Sequence, residues 1–99
     1  MPESSLTVGV LGGMGPMATI DLLQRIIRLT PALDDVDHIR TLVDNNPKVP
    51  SRINHLINRQ GENPAPVLVS MAESLESMGA DFLVMPCNTA HLYAQEIES

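Results

Sequence analysis

Apolar residues fall along this chain in two rhythms. Leu6 to Leu11 (LTVGVL) is a short, nearly unbroken apolar run, the pattern of a strand covered on both faces. After Pro16 the period changes. Leu22, Leu23, Ile26 and Ile27 recur at helical spacing, while Asp21, Gln24, Arg25 and Arg28 take the other face. Pro16 suits a first helical turn, and the helix is expected to stop near Thr30, ahead of Pro31. Ala32 to Asp37 reads as a polar, acidic loop. His38 to Val43 alternates enough for a second strand, less buried than the first, ended by the turn residues Asp44-Asn45-Asn46-Pro47. Pro50-Ser51-Arg52 opens a short helix with Ile53, Leu56 and Ile57 on one face and Gly61 at its close. A further helix starts around Pro64-Ala65-Pro66 and sets Leu68, Met71, Ala72, Leu75 and Met78 on one stripe, with Gly79 as its C-terminal cap. Phe82-Leu83-Val84-Met85 reads as a buried strand that stops at Pro86, and a new helix begins at Asn88 or Thr89.

This β-α-β-α-α-β-α order predicts an α/β fold, an open parallel sheet with flanking helices joined by right-handed crossovers. Ligands in such sheets bind beyond the carboxyl ends of the strands. The Gly12–Pro16 loop, the Asp44–Arg52 loop and the Pro86–His91 stretch all lie at those ends, so they are expected to meet in space.

Composition narrows the class. With 99 residues and 43% apolar content, residues 1–99 make one globular α/β domain at most. A net charge of −6, with six scattered Lys and Arg, argues against a nucleic-acid surface. No apolar stretch approaches the length of a membrane span, and the first residues carry neither a basic region nor a long apolar run, so no membrane segment or signal peptide is expected. A single cysteine cannot form an internal disulfide, which fits a reducing, cytoplasmic setting.

That cysteine, Cys87, sits where a strand end meets a helix start. Free backbone N–H groups and the positive end of the helix dipole there favour the thiolate. The bland alternative is a small buried hydrophobe, a common fate of free cysteine. His91, four residues on, sits one helical turn from Cys87; a Cys–His pair competes with a histidine that merely bonds backbone or solvent. Gly13-x-Gly15-x-x-Ala18 formally matches a dinucleotide fingerprint. Asp44 lies too far along for its acidic residue, however, and Pro16 removes an N–H that a phosphate would use, so a ligand-free strand-to-helix turn is the simpler reading. His38, His55 and His91 are widely spaced and Cys87 has no C-x-x-C partner, so no metal site is expected.

Taken together, Gly12-Gly13-Met14-Gly15-Pro16, Asn46-Pro47-Lys48-Val49-Pro50-Ser51-Arg52 and Pro86-Cys87-Asn88-Thr89-Ala90-His91 closely resemble the aspartate/glutamate racemase family, in its aspartate racemase-like branch. The resemblance covers essentially the whole chain and implies the first domain of a pseudo-symmetric two-domain fold that encloses an amino acid. It implies two-base proton transfer between two cysteines, with no pyridoxal phosphate, metal or nucleotide cofactor. Cys87 would be the first acid–base cysteine; Asn88, Thr89 and Ala90 would bind the substrate carboxylate. Arg52 would meet the acidic side chain of aspartate or glutamate, and Met14 would line the pocket. Ser51, counted with the substrate-binding residues, stands where the family usually has aspartate, and Met17 where it often has glutamate, which bears on how Arg52 is oriented. The second domain, with its cysteine in a Gly-Cys-Thr motif, has no counterpart in these residues. The expected partners are therefore a small-molecule amino acid and either a second copy of the chain or a complementing second half, the chain alone being inactive. A non-catalytic amino-acid-binding or interaction module and, behind it, a nucleotide-binding domain remain the alternatives.

Chemistry favours this transfer. An α-proton is a very weak acid, so its base must be ionised, dry and in contact with it. A guanidinium binds carboxylate through two parallel hydrogen bonds, which suits a dicarboxylic substrate.

Overall fold

The computed structural model describes residues 6–52, 55, 59, 61–86 and 97. Its centre is strand β1 (Thr7–Gly12), all six residues of which are buried. β2 (Arg40–Asn45) and β3 (Phe82–Val84) flank it in the order β2-β1-β3, both parallel to β1. Helix α1 (Pro16–Leu29) follows β1, a short 3-10 turn (Asp35–Asp37) precedes β2, and helix α2 (Ala65–Ser77) precedes β3. The expected α/β class and parallel sheet are therefore present.

The two helices cover opposite faces of β1. A Cβ added at Gly9 would press on Leu75, Ala80 and Leu83, and Leu11 joins the cluster of Leu68, Met71, Ala72 and Leu75, so Gly9 and Leu11 face α2. Gly12 faces the other way: a Cβ there would strike the Thr19 side chain of α1 at 2.6 Å. Side-chain alternation then turns Val8 and Val10 toward α1. At the opposite end of the sheet, Asp81 donates its N–H to the Thr7 carbonyl at 2.8 Å, and the Thr7 N–H donates to Asp81 Oδ2 at 2.7 Å, tying the start of β1 to the start of β3.

Several expectations shift. β2 starts at Arg40 rather than His38 and runs through Asp44 and Asn45, because pairing up to Gly12↔Asn45 holds those turn-forming residues extended. β2 is less buried than β1, as its alternation predicts. β3 was expected to be buried, yet Phe82 is 46% exposed and Leu83 and Val84 are half-buried, since among the described residues β3 pairs with β1 alone. On α2, Leu68, Met71, Ala72 and Leu75 are buried as the stripe predicts. Met78 is not: it is the C-cap, past the last turn that rests on the sheet, and is 61% exposed. Gly79 follows it at φ +110°. Ile27 of α1 is likewise exposed. The Pro50–Gly61 helix lies largely outside the described residues, although Arg52 and His55 have helical backbone.

Candidate functional site

At the carboxyl end of β1 the chain turns through Gly13, whose φ of +97° is open to glycine and costly for other residues. The turn is packed against the segment leaving β2: a Cβ on Gly13 would fall 2.4 Å from Asn46 backbone atoms. The Asn46 N–H donates to the Gly12 carbonyl at 3.0 Å, so parallel pairing continues past the ends of both strands. From α1, the buried Thr19 hydroxyl accepts the Gly13 N–H at 2.9 Å. Asn46 Oδ1 accepts the Lys48 N–H at 2.9 Å and shapes the next turn. The glycine loop is thus held on one side by a helix and on the other by a neighbouring strand end.

Three apolar side chains draw the strand ends together. Met14 from the glycine loop, Val49 from the loop after β2 and Met85 from the end of β3 all belong to the buried cluster built on Leu68 and Met71. The convergence expected from topology is therefore present as far as Pro86. Met14, expected to line a pocket, is 4% exposed and packed in this cluster, where it joins the loops from within.

Arg52 follows directly. It is half-buried, and its Nη1 donates to the carbonyls of Val49 and Pro50 at 3.3 Å each. Those two bonds fold the side chain back on its own loop. Its Nε is buried and has no hydrogen-bond partner among the described residues. A buried N–H without an acceptor costs on the order of 1–3 kcal/mol, more on a charged group, so an incoming carboxylate oxygen would be favoured there. Ser51 is exposed, and its carbonyl accepts the His55 N–H at 3.2 Å. Cys87, Asn88, Thr89, Ala90 and His91 lie outside the described residues.

Sequence reasoning passed over Thr19 and Val49. Thr19 gives a weak signal, a polar residue one turn into an otherwise apolar helix start. Val49 is an apolar residue between Lys48 and Pro50 in a loop, where burial is not implied by any period. Among the described residues no group of three or more His, Cys, Asp or Glu could hold a metal ion, and no helix is long and apolar enough to cross a membrane.

A glycine turn, an arginine loop and a third strand end pack together at the carboxyl edge of the sheet, the edge at which open parallel sheets bind their ligands. Known proteins place the chain more narrowly. Residues 11–99 match the model of the Asp/Glu/hydantoin racemase family. The chain is 33% identical over 95 residues to the broad specificity amino-acid racemase RacX of Bacillus subtilis (strain 168), covering 92% of this chain and 40% of that protein. It superimposes on the aspartate racemase of Picrophilus torridus with a TM-score of 0.85 and 37% identity, covering 92% of this chain and 39% of that one. The chain belongs to the Asp/Glu/hydantoin racemase family. It spans about two fifths of the length of these relatives.

Proposed function

We propose that this chain is the N-terminal part of a cofactor-independent amino-acid racemase acting on aspartate or glutamate. The observation that carries the reading is Arg52: a half-buried guanidinium with a buried, acceptor-free Nε, beside the point where three strand-end loops pack together. That arrangement offers a carboxylate partner at the strand ends, and Cys87 follows the last described residue of the β3 end, Pro86, in the sequence. The names of its relatives, an aspartate racemase and a broad specificity amino-acid racemase, point to the same chemistry.

In this reading the Cys87 thiolate takes the α-proton, leaving a carbanion whose charge spreads into the α-carboxylate. A thiol on the opposite face returns a proton to the same carbon, and the product is the other enantiomer with no net change in protons. Asn88, Thr89 and Ala90 hold the α-carboxylate, and Arg52 the side-chain carboxylate, with Ser51 beside it and Met14 packed under the loop. The second thiol belongs to a complementing second half or to a second copy of the chain. A reducing compartment such as the cytoplasm would keep both sulfurs active.

The test is L-aspartate in deuterated water, followed by NMR for α-deuteration and by chiral separation for D-aspartate. The 99-residue chain as a monomer is expected to produce no D-aspartate. Racemisation is expected on addition of a second half carrying the opposite cysteine, and Cys87→Ser abolishes it. Arg52→Lys is expected to weaken aspartate binding by about tenfold, because one forked donor pair is lost, while the melting temperature moves little. Steady D-aspartate from a verified monomer would exclude the half-enzyme reading. Aspartate binding without any exchange, even with the second half present, would instead identify a binding module.

A further inference from the structure

Charges that are scattered along the sequence are sorted by the sheet. Residues 46–61, which leave the carboxyl end of β2, carry Lys48, Arg52 and Arg59 and none of the twelve acids of the chain. The other three cations, Arg25, Arg28 and Arg40, share the rest of the chain with all twelve. At the amino ends of the strands, Asp34, Asp35 and Asp37 build the turn before β2, and Asp81 precedes β3. Helix α2 crosses from the carboxyl edge back to the start of β3, so Glu73 and Glu76, late in it, fall toward that acidic end as well. Asp44 is the acid nearest the cationic segment in the strand order; it turns to the α2 face, where it borders a cleft with Ser70 and Ser74.

Lys48 is tied to the candidate site through the backbone. Its N–H is held by Asn46 Oδ1 at 2.9 Å. The next residue, Val49, is buried in the strand-end cluster and gives its carbonyl to Arg52 Nη1 at 3.3 Å. The Lys48 ammonium is thus tethered one residue from the group that holds the guanidinium. Lys48 and Arg59 are both exposed. Among the described residues neither side chain has a hydrogen bond or ion pair, so no neighbouring carboxylate cancels their charge.

We propose that Lys48 and Arg59 form a cationic rim that draws small carboxylates toward Arg52 and makes the site favour amino acids of net negative charge over zwitterions of none. The rim acts through space and does not touch the bound molecule. This inference rests on the reading of Arg52 as the carboxylate partner. A cation about 10 Å away in water attracts a dianion twice as strongly as a monoanion and a neutral zwitterion hardly at all. At low ionic strength that attraction is a gain of about two- to threefold in affinity for a dianion per cation, and salt removes it. The acids at the opposite edge repel the same anions, so the field runs along the strands and points them at the carboxyl edge. The rim selects by charge, and the guanidinium selects by the fork it offers a carboxylate.

Titration calorimetry of the full chain with succinate, an unreactive dianion, tests the rim at about 10 mM and about 500 mM salt. Lys48→Gln and Arg59→Gln should each raise the succinate Kd by about two- to threefold at low salt, and by about fivefold together, with little difference left at high salt. Lys48→Arg keeps the charge and should bind as the wild type does. Arg28→Gln removes the same charge from the last turn of α1, at the far end of the sheet, and should leave the Kd unchanged. Circular dichroism checks that each variant is folded. A succinate Kd indifferent to both rim variants overturns the inference. So does an equal response to Arg28→Gln, or a wild-type chain that does not bind succinate at low salt. Failure of the racemase reading looks different: succinate is bound with this charge dependence, yet aspartate is not deuterated at its α-carbon when the second half is added.

Discussion

Helices α1 and α2 lie on opposite faces of β1 and are held to it by different means. α2 buries Ala65, Leu68, Met71, Ala72 and Leu75, a continuous stripe in the main core. α1 buries Thr19 alone; Leu22, Leu23 and Ile26 are half-covered, and Leu29 is 82% exposed. Apolar periodicity is clear in both, so the difference arises from what lies opposite. The α2 face of the sheet is backed by Met14, Val49 and Met85 from three loops, while the α1 face offers Val8 and Val10, both buried but outside that main cluster. One helix is attached by area and the other is anchored by a hydrogen bond at its N-terminal turn. That anchor is also what holds the glycine loop of the site.

Paired truncations should open this contrast widest. Leu68→Ala removes a fully buried side chain and is expected to destabilise by about 2–5 kcal/mol in urea unfolding. Ile27→Ala, of similar chemistry on the exposed side of α1, is expected to stay within about 0.5 kcal/mol. Comparable losses would mean that α1 is covered in solution.

A smaller effect is expected where α1 meets the site. Thr19→Val keeps the shape that packs on Gly12 and deletes the oxygen that accepts the Gly13 N–H. The buried donor left behind should cost about 1–3 kcal/mol. Faster amide hydrogen exchange at Gly13 would follow, with the amides of α2 unchanged. Protection lost equally in both helices would show that Thr19 supports the whole fold and not the loop.

The least effect belongs to the surface of α1. Arg25 Nε and Asp21 Oδ2 are 2.9 Å apart across one helical turn, with both side chains more than half exposed. Asp21→Asn is expected to cost no more than about 0.5 kcal/mol, and less in high salt, as measured by thermal melting. A larger loss would give this pair a role in fixing α1 that its exposure does not suggest.

Local order along the chain was sufficient to read the element types. A run of apolar residues at β1, a helical stripe from Leu68 to Leu75, and Gly and Pro at the junctions each act within a few residues, so they can be recognised without knowing their neighbours. The motifs at Gly12–Pro16 and Asn46–Arg52 were legible for the same reason, and topology alone predicted that their strand ends converge. Cys87, Asn88, Thr89 and Ala90 were also chosen from sequence and lie outside the described residues. Tertiary structure decided the rest. Whether Phe82 is buried depends on a strand beside β3; whether Asp44 and Asn45 are turn or strand depends on pairing with Leu11 and Gly12. Met14 became a core residue because Val49 and Met85 arrive from 35 or more positions away. The Arg52 Nη1 donates to its own loop carbonyls, while the buried Nε has no acceptor among the described residues. Periodicity belongs to one segment, whereas burial and hydrogen-bond satisfaction belong to pairs of segments, and only the fold brings those pairs together.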